Sequence, residues 1–181
     1  MQPTLHSSRL ILRPYTLDDA ADVQRLAGDV RIADTTLTIP HPYPDGAAET
    51  WISGHAPAFE NGGEIACAIT LESTGELLGT VSLIDVQRKH ARAELGYWVG
   101  VPSWGKGYCT EAVCCLITFA IEQLGMTRIV ARCLARNPAS ARVMEKAGLA
   151  LEGRQREHVL KNGVYEDILL YGLVLPERGT T

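Results

Sequence analysis

The chain has 181 residues, of which 46% are apolar and 21% charged, with a formal net charge of −4. Those proportions are those of a globular domain with one good core. No apolar stretch approaches the roughly 20 residues of a bilayer-spanning helix, and the negative charge speaks against a nucleic-acid binder, which carries a basic stripe.

The opening stretch MQPTLHSSRLILRPY lacks the cationic start, apolar middle and small-residue cleavage site of a signal peptide, so a cytoplasmic location is expected. Its second half, RLILRPY (9–15), reads as a short strand ended by Pro14. TLDDAADVQRLAGD (16–29) reads as a helix. Thr16 and Asp19 form a capping pair, and acids fill the first turn, where the helix dipole favours them. A proline-rich loop (38–46) leads into a weaker amphipathic helix from Ala47, stopped at Asn61-Gly62-Gly63. The irregular stretch 30–60 is where substrate specificity is expected. Three strands follow at hairpin spacing, 64–71, 77–86 and 93–101. An apolar helix (108–125) is closed by Gly125. TRIVARCLA (127–135) is a strand, and PASARVMEKAGLA (138–150) is a short helix ended by Gly148. The chain closes in a hairpin, 151–175, about Asn162-Gly163, whose residues both tolerate positive φ. This order predicts one α+β domain, residues 1–181, on a single mixed sheet. Cys67, Cys109, Cys114, Cys115 and Cys133 form no C-x-x-C pair, so reduced apolar thiols and no metal site are expected.

VPSWGKGYCTEAV (101–113) sets two glycines and a lysine between a strand and a helix. A Walker loop is excluded because Lys106 is followed by Gly107 rather than a hydroxyl, and the dinucleotide fingerprint fails because position 110 is Thr. What remains is a helix start with no obvious side-chain cap for its free N–H groups. Gly105 and Gly107 can take positive φ and admit a ligand closely. A pyrophosphate there would meet free amides and the positive dipole end without a metal.

AELGYWVGVPSWGKGYCTEA resembles the acyl-CoA loop of the GNAT superfamily of N-acyltransferases, in the Rim-type branch that includes acetyltransferases of ribosomal-protein N-termini. The superfamily pattern Arg/Gln-x-x-Gly-x-Gly/Ala reads here Trp104-x-x-Gly107-x-Cys109. NPASARVMEKAGL (137–149) is similar to that branch's Asn-x-x-Ser…Glu-Lys-x-Gly-Phe segment, with Leu149 in place of Phe. RLILRPYTLDDA and EGRQREHVLKNGVYEDILLYGL extend the likeness over nearly the whole chain. The resemblance implies a GNAT fold, a mostly antiparallel, V-shaped mixed sheet flanked by helices and splayed between its fourth and fifth strands. It implies acetyl-CoA as co-substrate in that split. Backbone groups of Val99, Gly100 and Val101, together with Asn137, would hold the pantetheine. The turn Trp104, Gly105, Lys106, Gly107, Tyr108, Cys109 and Thr110 would hold the pyrophosphate.

Glu94 is an isolated carboxylate in a strand otherwise apolar from 93 to 99, where burial requires a partner. It reads as a surface charge or as a general base acting directly or through water; the resemblance favours the base. Ser140 reads as a first-turn hydroxyl or, as the resemblance implies, the acid that protonates the departing thiolate. Many GNAT enzymes use a tyrosine one turn later, but here that slot is Met144, which cannot donate a proton. Cys109 opens a helix whose dipole would lower a thiol's pKa; the simpler reading is a small filler. His158, Tyr165 and Asp167 on the last hairpin would face either the acceptor or solvent, and Glu157 or Asp167 would replace Glu94 as base should it fail. Lys146 would be a surface charge or reach a nucleotide phosphate. The expected reaction is direct attack of a primary amine on acetyl-CoA in a ternary complex, foremost by a protein N-terminal α-amine. A small-molecule amine (polyamine or antibiotic) and an acyl-CoA-sensing module without turnover are the alternatives, and a homodimer is left open.

Overall fold

In a computed structural model, which describes residues 2–175, the described residues form eight strands in one sheet. The strands are β1 (Leu5–His6), β2 (Leu10–Arg13), β3 (Ile65–Leu71), β4 (Leu77–Gln87), β5 (Arg92–Val99), β6 (Arg128–Leu134), β7 (Ala150–Lys161) and β8 (Val164–Val174). Their order is β1-β2-β3-β4-β5-β6-β8-β7. Every neighbouring pair is antiparallel except β5–β6. The helices are α1 (Ala20–Ala27), α2 (Val30–Thr35), α3 (Ala47–Glu60), α4 (Tyr108–Glu122) and α5 (Pro138–Lys146).

The central strands read as continuous apolar runs because both faces are covered. On one face Leu10, Leu12, Ile69, Val81 and Leu95 pack with Val113, Leu116 and Ile117 of α4 and Met144 of α5. On the other, Ala68 and Leu77 pack with Val23 and Leu26 of α1 and Ile52 of α3. The one parallel pair is short. It runs from Arg92↔Arg128 to Leu95↔Ala131 and stops. Beyond it β5 stays with β4 as far as Gly79↔Val99, and β6 stays with β8 as far as Leu134↔Ile168. The sheet therefore parts into a wedge between β5 and β6. This is the V-shaped splay that the resemblance implies, between the fourth and fifth strands when the two-residue β1 is left out of the count.

Three of the boundaries that differ from the sequence reading have a local cause. The first helix starts as a 3₁₀ turn, Leu17–Asp19, with the Thr16 N–H donating to Asp19 Oδ2 at 2.8 Å. It then stops at Ala27, because Asp29 caps a separate helix, α2, by accepting from the Arg31 N–H at 2.9 Å. The helix expected over 138–150 ends at Lys146, and Ala150 already begins β7.

His55 on α3 is only 7% exposed, and neither ring nitrogen has a hydrogen-bond partner among the described residues. It packs edge-on against Trp51 at 4.3 Å between ring centres, with Tyr15 at 5.4 Å. Burial pushes its pKa down to about 4. The unfolded chain takes up the same proton near pH 6.5. The stability from a neutral imidazole is thus fully present above about pH 6.5 and is lost as pH falls toward about 4. Urea midpoints from pH 8 to 4 should show wild type losing ground to His55→Phe only below about pH 6.5. A gap that stays constant over that range would contradict a buried neutral histidine.

Candidate active site

The wedge opens into a cavity of about 1020 Å³ that reaches from the start of α4 and α5 across β5 to α1, α2 and α3. Backbone alternation decides which groups of β5 face it. The Gly100 N–H donates to the Leu78 carbonyl at 2.8 Å, so residues in step with Gly100, such as Trp98, spend their backbone groups on β4. The N–H groups of Tyr97 and Val99 then turn toward the parted β6 edge. The Val99 carbonyl is taken by the Trp104 indole Nε1–H, which donates to it at 2.6 Å. Gly100 and Val101 use their carbonyls inside the following turn, accepting from Ser103 and Trp104 N–H.

That turn takes its shape from two left-handed glycines, Gly105 at φ +73° and Gly107 at φ +81°. Gly107 is the N-cap of α4 and has no side chain to offer, so the first-turn amides receive no side-chain cap. A Cβ at Gly105 would meet nothing within 4 Å, and one at Gly107 would meet only Arg9 Nη2 at 3.5 Å. Gly105, Gly107, Tyr108, Cys109 and Thr110 line the cavity at this turn. Arg9, in the β1–β2 connection, braces the turn from behind. Its Nε donates to Glu111 Oε2 at 2.8 Å, its Nη1 donates to the Lys106 carbonyl at 3.2 Å, and its guanidinium lies 4.6 Å from the centre of the Tyr108 ring. Ser7 and Ser8 hydroxyls and the Arg9 N–H all donate to Glu111 Oε1, which together with Arg9 hold that carboxyl below its ordinary range against the opposing pull of burial. Arg9→Ala should raise the acetyl-CoA Kd about threefold to tenfold in calorimetry while leaving the fold intact. An unchanged Kd would show that the turn keeps its shape without the brace.

Glu94 has the partner its position requires. It stands opposite Ile84 on β4, half-buried, and its Oε1 accepts from Arg132 Nε at 2.8 Å across the mouth of the wedge. Ser140 sits in the first turn of α5, but Asn137 is the cap: Asn137 Oδ1 accepts from the Ser140 N–H at 3.1 Å, and its Nδ2 donates to the Thr35 carbonyl at 3.4 Å. The Ser140 hydroxyl is therefore released for other work, and it lies 2.9 Å from the Tyr97 hydroxyl. Tyr97 also donates to the Ser140 carbonyl at 2.9 Å. Burial pushes the Tyr97 phenol above its ordinary range, so it keeps its proton. Met144 is fully buried beneath α5 in the core.

Of the residues expected at the site, the cavity is lined by Glu94, Val99, Trp104, Gly105, Gly107, Tyr108, Cys109, Thr110, Asn137 and Ser140, and also by Lys146. Gly100, Val101 and Lys106 do not line it. Burial pushes the Cys109 thiol up to about 12, which overrides the helix dipole and leaves it a small filler. Glu157, His158, Tyr165 and Asp167 stand outside the cavity. Asp167 is committed to the hairpin, accepting from the Glu157 N–H at 2.7 Å and from Arg154 Nε at 2.6 Å. Sequence reasoning missed Tyr97, Arg132 and Glu64; the apolar wall of Ile32, Tyr43 and Trp51 lies in the stretch 30–60 where specificity is expected, though none of the three was singled out. Only Tyr97 carried a signal, since alternation along β5 puts it on the face of Leu95 and Val99.

The profile of the acetyltransferase (GNAT) domain family matches residues 9–150. The Bacillus subtilis protein named uncharacterized N-acetyltransferase YoaA is 29% identical over 176 residues, 97% of this chain and 99% of that one. The Escherichia coli ribosomal-protein-serine acetyltransferase is 30% identical over 55% of this chain and 56% of its own. Among solved structures, Mycobacterium smegmatis RimJ in complex with CoA-disulfide superposes with a TM-score of 0.87 at 23% identity, covering 100% of this chain and 93% of that one.

Proposed function

The chain belongs to the GNAT acetyltransferase family and is an acetyl-CoA-dependent N-acetyltransferase; we propose that it passes the acetyl group directly to a protein N-terminal α-amine. The observation that carries this reading is the parted β5–β6 edge running straight into the uncapped start of α4. The coenzyme's amide-rich arm can add to that edge as a strand would, and its pyrophosphate can sit on the α4 amides. The CoA held by the RimJ structure and the ribosomal-protein acceptor named for the Escherichia coli relative support the same reading.

On this reading the N–H groups of Gly105 and of Gly107 to Thr110 bind the pyrophosphate, and those of Tyr97 and Val99 orient the pantetheine and thioester. The Val99 N–H polarises the thioester carbonyl as an oxyanion-hole donor does. Glu94 accepts the amine proton, directly or through one water. Ser140, backed by the protonated Tyr97 hydroxyl, delivers a proton to the departing thiolate. Asn137 keeps its α5 cap and has a second amide hydrogen for the coenzyme's arm.

The choice of amine follows from its proton. At pH 7 an α-amine of pKa about 7.8 is roughly one-seventh neutral, whereas a lysine at about 10.4 is neutral about once in 2,500. A carboxylate already paired with Arg132 suits the acceptor that has less to lose. Mass spectrometry of a peptide with both a free N-terminus and an internal lysine should place one acetyl group on the α-amine, and an Nα-blocked copy should stay unmodified. Acetylation of the lysine in both peptides would overturn the assignment.

A further inference from the structure

Glu64 joins α3 to β3, and its N–H donates to the Ala58 carbonyl at 3.4 Å. The next residue, Ile65, pairs with Leu83, which brings Glu64 beside Ile84, and Ile84 pairs with Glu94. Glu64, Ile84 and Glu94 thus form a row across three strands on one face, and all three line the cavity. At the usual strand spacing the two acids start roughly 10 Å apart. They differ in their company. Glu94 is held by Arg132 at 2.8 Å, whereas Glu64 has no ion pair or side-chain hydrogen bond among the described residues. Arg88, on the facing turn, lies beside Gly62 and forms no ion pair with Glu64. Tyr43 and Trp51, which can face a cation with their rings, line the same cavity.

A half-buried carboxylate facing an apolar-walled cavity without a cation is costly unless a ligand supplies one. Burial alone pushes its pKa up. We propose that Glu64 binds a second positive charge of the acceptor, so that the enzyme selects amines that carry another ammonium or guanidinium group on the same molecule. This rests on the reading of the cavity as an amine-acceptor site. Glu64 pairs with the distal cation, while the reacting amine lies toward Glu94 and the wedge. For a peptide the second charge is a lysine or arginine close behind the N-terminus; for a small molecule it is a second amine.

The test uses matched acceptors that differ only in that charge. One pair is Ser-Lys- and Ser-Gln- peptides of otherwise equal sequence, with the lysine Nε-trimethylated so that only the α-amine reacts. The other is (6-aminohexyl)trimethylammonium and hexylamine. Wild type should prefer the charged member of at least one pair by about tenfold or more in kcat/KM, and the pair that shows the preference identifies the source of the cation. Glu64→Gln should bring that ratio to about one, leave turnover of the uncharged member of that pair and acetyl-CoA affinity unchanged, and Glu64→Asp should restore part of the preference. A ratio of about one in wild type for both pairs, or a ratio that survives Glu64→Gln, would overturn the proposal. If wild type acetylates none of these amines, it is the acceptor reading that fails. Glu64 is then judged by calorimetry with hexane-1,6-bis(trimethylammonium), which should bind wild type and bind Glu64→Gln at least tenfold more weakly; equal binding would refute the role.

Discussion

Glu94→Gln should lower kcat/KM by about 10²-fold at pH 7, within the range of a positioned acid–base group, and leave acetyl-CoA affinity unchanged. Gln keeps the shape of the side chain and removes its charge. The Arg132 guanidinium that Glu94 accepts at 2.8 Å then faces the acceptor unneutralised. Two effects follow, loss of a base and repulsion of an incoming ammonium, and both act only on the protonated amine. A lost base matters only while the amine is protonated, so its deficit shrinks as pH passes the amine's own pKa. Profiles of kcat/KM from pH 6 to 10 at saturating acetyl-CoA should converge at the alkaline end. A constant gap would mean that Glu94 positions the neutral amine rather than deprotonating the ammonium. Identical profiles would leave Glu94 only as the counter-ion of Arg132.

Gly107→Val should weaken acetyl-CoA binding at least tenfold, which corresponds to about 1.4 kcal/mol or more. Gly107 holds φ +81° as the N-cap of α4, a conformation that a β-branched residue resists. Relaxing that angle turns the first amides of α4 away from their common focus. The added methyl groups would also press on the bracing Arg9, whose Nη2 lies 3.5 Å from a Cβ at this position. Gly163→Val is the control, since Gly163 carries φ +79° in the Asn-Gly turn of the last hairpin, outside the cavity. It should lose comparable stability in urea and keep its affinity for acetyl-CoA. Equal affinities for wild type and Gly107→Val would remove the pyrophosphate from this turn.

The shape of the 104–110 turn was legible because it is set locally. Two glycines in three residues, followed by an apolar helix without a Ser, Thr, Asp or Asn cap, describe the loop within one stretch of chain. The hairpin about Asn162-Gly163 was legible for the same reason. Helix α2 is not legible because Asp29 reads as the tail of the preceding helix; it accepts from Arg31 and begins α2 within the stretch that reads as irregular. The site's polar contacts are long-range and left no such trace. Glu94 meets Arg132 across 38 residues, and Tyr97 meets Ser140 across 43. The width of the wedge depends on where β5–β6 pairing stops, at Leu95↔Ala131, which follows from how β4 and β8 draw the two strands apart. Glu64 looked like the polar edge of a strand; only the register that sets it beside Ile84 shows that it shares a cavity with Glu94.

Release of CoA thiol from acetyl-CoA, followed with and without a peptide bearing a free N-terminus, tests most directly whether this wedge is an amine acetyltransferase site. The expected result is release that depends on the peptide, saturates in both reactants and yields one acetylated α-amine per thiol. Release that is unchanged when the peptide is omitted, or no release with any primary amine, would contradict direct transfer to an amine.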